Sequence, residues 1–236
     1  MSSSDGQHGR YERGNKLIDA LPPSDRARAV DVLTVITAEV PECVVGRDDP
    51  FEDVFFPIDA LFSITAELHR GNVYEVAAVG CEGVIGAELA LGVAASPRAV
   101  MSQIEGRAAR MSRDAFLGCY EASSAFARGV HRHLIHRLFI AEQLIACNFA
   151  HDVTQRCARW LMMLSDQVGR NAFELRAEFL GMMLSLPPAE AAGATRALAN
   201  MGALRYAREQ LEIFDAEILR EASCECYEEQ RRFAPS

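Results

Sequence analysis

Apolar residues recur at Val130, Leu134, Leu138, Ala141 and Ile145, at intervals of four, four, three and four. That spacing lays them along one stripe of a helix. No proline interrupts the run from Glu121 to His151. One helix of about thirty residues is predicted there, roughly 45 Å long at 1.5 Å per residue. A second stripe carries Ile135, Phe139 and Leu144. A helix with two apolar stripes needs two partners, so residues 121–151 read as a connector. One face would pack on the preceding domain and the other on a symmetry mate, through Val130, Leu134, Leu138, Ala141 and Ile145. Periodicity alone leaves an ordinary core helix open.

Upstream, residues 1–14 are polar and predicted to fray. The stretch from Asn15 to Ile36 reads as helix. Leu17, Ile18 and Leu21 precede Pro22-Pro23, then Ser24 caps a second helix with Val30, Val32 and Leu33 on its apolar face. Pro41 and the polar residues 46–50 end it. From Phe51 to about Met111 the texture changes to short runs rich in β-branched and aromatic residues, at 54–56, 60–65, 73–79, 100–104 and 108–111. Pro57, Asp59, the HRGN of residues 69–72, Gly80 and Gly106 separate them, and residues 84–92 read as a helical turn. Strands at this spacing predict a small antiparallel roll or sandwich. Ser112 to Asp114 then cap a helix beginning at Ala115.

Downstream, Asp152 caps a helix that Gly169 ends. Two helices follow, 177–184 and 189–201, with a tight joint at Ser185–Pro188. Strands at 204–206 and 211–214 form a hairpin, and Asp215 caps one last helix reaching Tyr227. Helix, turn, helix, hairpin is the winged helix-turn-helix layout, which sets the second helix in a DNA major groove and the wing on the backbone. The predicted class is α+β, an N-terminal antiparallel β-roll, a long dimerisation helix and a C-terminal winged helix. The domains would be 15–120, 121–151 and 152–236.

Composition narrows the function. Half of the 236 residues are hydrophobic and 24 % are charged, as in a folded globular chain. No apolar run approaches the length of a membrane span, and the N-terminus lacks the apolar segment of a secretory signal. The seven cysteines are odd in number and mostly scattered, which predicts reduced thiols in a cytoplasmic protein. None of the nucleophile-elbow, phosphate-loop, zinc-protease or dinucleotide motifs occurs, so no enzyme and no catalytic residue are predicted. The net charge of −9 supplies no long-range attraction to nucleic acid.

The strings FEDVFFPIDALFSI, VGCEGVIG, LGVAASPRAV, ELRAEFLGMML, TRALANMGALRY and ASCECY, in this order, resemble the Crp–Fnr superfamily of bacterial transcription regulators. The resemblance covers residues 15–230. It implies a cyclic-nucleotide-binding-like roll, a dimerisation helix and a DNA-binding winged helix in a homodimer. Departures from the family are informative. The second helix of the pair opens Pro188-Ala189-Glu190, and its one basic side chain is Arg196. Ser185 stands at the joint's usual glycine, and the wing tip reads Ala207-Arg208-Glu209-Gln210. From Phe173 to Ser236 there are seven arginines and eleven carboxylates, a net of −4. Base edges demand donors, and this helix has few. Either Thr195, Arg196, Arg205 and Arg208 make a sparse DNA contact, or the winged helix acts through a protein partner, pairing with and antagonising a DNA-competent relative.

Binding members of the family hold a cyclic nucleotide with a glutamate and an arginine ten residues apart. Glu88 and Arg98 have that spacing, but Ala87 and Ala99 replace the small groups expected to cradle the phosphate. His131, His133 and His136 make a histidine-rich turn in the long helix, read as a solvated face, since only His133 and His136 share a side and no third ligand is evident. Cys224 and Cys226, two apart on a helix, would face different directions and serve packing. No metal and no cofactor are predicted.

Overall fold

A computed structural model describes residues 9–68, 71, 73–175 and 177–234. Of the expected turn at 69–72, His69, Arg70 and Asn72 lie outside the described residues. The chain divides into two compact units, one drawn from residues up to 64 and from 78 to 135, the other from 65–77 and 136–234.

In the first unit, α1 (Lys16–Asp19) and α2 (Pro23–Asp31) are short. Pro22 is the N-cap of α2 and Pro23 its first residue, so Ser24 is not the cap. Proline suits that place because the first helical N–H has no partner to lose. The predicted helix to Ile36 is corrected. Thr34–Ala38 is strand β1, where four consecutive β-branched residues, Thr34 to Thr37, favour the pleat. Residues 9–14 are not frayed either. Gly9 bridges to Val35, and Tyr11 is buried with its hydroxyl donating to Asp19 at 3.0 Å. Asn15 is fully buried and its Nδ2 donates to the carbonyls of Pro57 (2.9 Å) and Gly83 (2.8 Å), tying the N-terminal segment to the roll.

The strands continue as β2 (Glu42–Val45), β3 (Asp53–Pro57), β4 (Leu61–Glu67), β5 (Val73–Val79), β6 (Ala99–Ile104) and β7 (Gly106–Ser112). They form two antiparallel sheets in the orders β1-β7-β3 and β2-β6-β4-β5. A 3-10 turn at Ala87–Leu91 sits where the helical turn was predicted. Val54, Phe56, Leu61, Phe62, Ala108 and Ala109 are buried. Helix α3 (Arg113–Ala122) is capped by Ser112, whose hydroxyl accepts from the Ala115 amide. Phe126 packs edge-on to Phe116 and Phe56, with centroids 5.6 and 6.2 Å away.

The long helix is α4, Ser124–Ala150. It starts three residues later than predicted, because Ser123 turns the chain and accepts from the Phe126 amide. Val130 is fully buried in its own unit, which corrects its assignment to a dimer face. Leu134 is half-buried, while Leu138, Ala141 and Ile145 are exposed, as are Ile135 and Phe149. His133 is buried too and is no part of a solvated face. Its Nε2 accepts from the Val84 amide at 3.4 Å.

In the second unit, α5 (Val153–Val168) begins with a capping box of Asp152 and Gln155 and ends at Gly169, whose φ of 69° is the left-handed geometry glycine tolerates. Strand β8 (Ala172–Glu174), α6 (Ala177–Leu184), α7 (Pro188–Asn200), β9 (Leu204–Ala207) and β10 (Gln210–Ile213) follow. The strand order is β8-β10-β9. The predicted last helix is two, α8 (Ala216–Ala222) and α9 (Cys226–Arg232), separated by Ser223–Glu225. Among the described residues no helix is long and apolar enough to cross a membrane.

Candidate functional site

Helices α6 and α7 meet at a joint of three residues. A Cβ on Gly181 would lie 3.0 Å from the Leu186 carbonyl, so glycine is what lets the joint close. Ser185 takes the left-handed φ of 54° usually given to glycine. Leu180, Leu184, Ala191, Ala194 and Leu198 are buried, and Arg156 donates to the Leu184 carbonyl at 2.6 Å, covering the end of α6.

The outward face of α7 carries Pro188, Ala189, Glu190, Arg196 and Asn200 as its exposed residues, with Gly193 half-exposed beside open space. One guanidinium and one amide are thus the long donors on that face. Thr195, proposed from the sequence as a contact, is 2 % exposed and its hydroxyl donates to the Ala191 carbonyl at 2.9 Å. It belongs to the core: a residue one helical turn from a buried alanine shares that inward face. Arg196 is exposed.

At the wing, β9 and β10 pair with Ala207 opposite Gln210, leaving Arg208 and Glu209 as a two-residue turn. Both have positive φ, 51° and 66°, as the preferred hairpin turn demands. Arg208 is exposed at its tip. Arg205 stacks on the Phe214 ring at 3.7 Å and pairs with Glu212 at 3.7 Å, so part of its charge is already answered. Tyr206 donates to the Leu175 carbonyl at 2.9 Å, fixing the wing to the turn before α6.

In the roll, Gly86 has a φ of 92° and leads into the 3-10 turn on which Glu88 is half-buried. Arg98 is exposed, and its carbonyl accepts from the Ser96 hydroxyl at 2.6 Å. Ala87 is fully buried.

The second unit also gathers four side chains that the sequence left apart. Cys147 and His151 sit one turn apart at the end of α4, and Cys224 and Cys226 flank the start of α9. Because the chain breaks helix at Ser223–Glu225, the two thiols of the CxC do not diverge. The Sγ atoms of Cys147 and Cys224 are 3.6 Å apart, and Cys226 Sγ lies 3.7 Å from His151 Nδ1. All three cysteines are buried. The neighbouring Cys224 thiol and the charge of Arg159 lower the Cys147 thiol against the desolvation of burial. Its partner Cys224 is pushed up by the contact with Cys147 and by burial. No sequence motif of conventional spacing marks this cluster. The signal was there in two halves, CxxxH at 147–151 and CxC at 224–226.

Neither a protein-family model nor a curated protein matches the chain in sequence. Solved structures match it in fold. FixK2 from Bradyrhizobium japonicum is 18 % identical, with a TM-score of 0.69 over 82 % of this chain and 98 % of that one. TTHA1359, a transcriptional regulator of the CRP/FNR family from Thermus thermophilus, is 16 % identical, with a TM-score of 0.62 over 80 % and 97 %. The c-di-GMP responsive global regulator CLP from Xanthomonas campestris is 15 % identical, with a TM-score of 0.63 over 82 % and 100 %. Roll, long helix and winged helix occur here in the order and extent of those proteins, so this chain has the fold of the Crp–Fnr transcription regulators.

Proposed function

We propose that the protein is a transcription regulator of the Crp–Fnr type, acting as a homodimer. The observation that carries this reading is the joint presence of a winged helix and a long helix that leaves Leu138, Ile145 and Phe149 exposed. Two copies paired along α4 would hold two α7 helices for half-sites one DNA turn apart. The domains would be a sensor-like roll at 15–120, a connector at 121–151 and a winged helix at 152–236. Arg196 and Arg208 would make the DNA contacts, with Arg205 limited by its stack and ion pair.

So few cations imply weak binding with a shallow salt dependence. Every phosphate left without a cation lowers the slope of log K against log salt by about 0.9. Fluorescence anisotropy on a pool of genomic fragments, at two salt concentrations, tests it. Arg196→Ala is expected to weaken binding and flatten the slope; unchanged affinity rejects the contact. The near absence of donors on the outward face of α7 favours a second reading, in which the winged helix engages a protein partner. Absence of DNA binding at low salt, with co-purification of a related regulator, would decide for it.

A further inference from the structure

We propose that Cys147, His151, Cys224 and Cys226 form a closed tetrahedral site for one zinc ion. The donor atoms, three sulfurs and a ring nitrogen, all lie within 4.8 Å of one another. A tetrahedral zinc with metal–sulfur bonds near 2.3 Å and a metal–nitrogen bond near 2.05 Å has edges of about 3.8 Å between sulfurs and about 3.6 Å between sulfur and nitrogen. The separations of 3.6 Å for Cys147–Cys224 and 3.7 Å for Cys226–His151 are those edges.

The surroundings fit the same ion. His151 turns Nδ1 to the thiols while Nε2 meets the Glu225 carboxylate at 3.1 Å, the carboxylate–histidine pairing that orients a metal-bound imidazole. Gln143 Nε2 donates to Cys226 Sγ at 3.1 Å, a hydrogen bond that suits a thiolate. Three thiolates and one imidazole around Zn²⁺ leave a net charge of about −1 on the site. Arg159 supplies the counter-charge. It is 4 % exposed, no carboxylate pairs with it among the described residues, and its Nη1 donates to Gln230 on α9, the helix that Cys226 opens, at 3.3 Å. A buried guanidinium without an anion is costly, and the metal–thiolate complex provides one.

Other occupants fit less well. The four ligands of an iron–sulfur cluster are shared among two or four irons, so some of them stand farther apart than the 4.8 Å that encloses all four donors here. A disulfide between Cys147 and Cys224 needs an S–S bond near 2.05 Å and would leave Cys226 and His151 without a role. Four protein donors complete the coordination of zinc and leave no open position, so the site is structural. It joins the end of α4 to the break before α9 across 77 residues of sequence, and metal binding there contributes to folding of this unit.

The test uses the full chain purified under reducing conditions without chelator. Elemental analysis should find about one zinc per chain in a colourless protein. Cobalt added to the metal-stripped protein should give the intense visible bands of a tetrahedral thiolate site. Cys147→Ser and Cys224→Ser should each lower bound zinc at least about tenfold, while the exposed Cys43→Ser keeps it. Should those variants fail to fold, the cobalt titration of the unaltered chain still decides. Zinc below about a tenth of an equivalent with no cobalt bands, a brown protein containing iron and sulfide, a Cys147–Cys224 disulfide, or full zinc in the serine variants would each overturn the proposal. None of these readouts involves DNA, so they stand apart from the regulator reading.

Discussion

Replacing Leu138 with glutamate tests whether α4 pairs two copies. Leu138, Ile145 and Phe149 are 55 %, 63 % and 91 % exposed in the single chain. Full burial of such side chains is worth about 1.5–3 kcal/mol each, so covering what remains exposed contributes roughly 1, 1 and 2 kcal/mol. Two chains together would gain about 8 kcal/mol from these six side chains. Association costs an estimated 4–15 kcal/mol in lost freedom, so this stripe sits near the break-even point and other contacts must add to it. Leu138→Glu removes about 2 kcal/mol of burial from the pair and sets two carboxylates in the seam, at a further cost of at least about 2 kcal/mol. The dimer dissociation constant should rise about a thousandfold, since 1.4 kcal/mol is a factor of ten. Light scattering at micromolar protein should then report 25.9 kDa where the unaltered chain reports twice that. A glutamate variant that dimerises with unchanged affinity would show that the stripe is not the interface.

Three other perturbations read different parts of the molecule. Gly193→Ala on the outward face of α7 meets open space, so it should stabilise the winged helix by about 0.8–1 kcal/mol in denaturant unfolding; a lower stability would contradict the helix there. Asn15→Ala strips a buried amide from the carbonyls of Pro57 and Gly83, and should cost about 2–4 kcal/mol, with a loss under about 0.5 kcal/mol refuting the anchor. Burial pushes the Cys157 thiol up to about 12, so it should resist thiol reagents in the native state at mild alkaline pH. An unfolded thiol titrates near 8.5, so this group's contribution to stability is whole below that pH and is lost as pH rises from there toward about 12. Cys157→Ala should remove that part of the alkaline loss; an unaltered pH profile would reject the assignment.

The local elements followed from local chemistry. Alternating β-branched runs placed the roll strands, Asp152 and Gly169 bounded α5, and Pro187-Pro188 marked the joint before α7. Errors fell where local signals compete: Thr34 to Ile36 can extend a helical pattern or start a strand, and pairing of β1 with β7 made it a strand. The donor-poor face of α7 could be read in the sequence, yet the burial of Thr195 could not, because a three-residue joint sets which side of that helix turns inward.

By itself the chain determined most of its elements, its long proline-free helix and its scarcity of cations in the winged helix, all of which depend on neighbours a few residues apart. Only the tertiary structure decided which side chains meet. Val130 and His133 face the interior of their own unit, since the roll folds onto that end of α4. Cys147 and His151 reach Cys224 and Cys226 because the helix breaks at Ser223–Glu225 and turns both later thiols the same way. Residue spacing describes directions around one helix, and it carries no information about donors brought together from segments 77 residues apart.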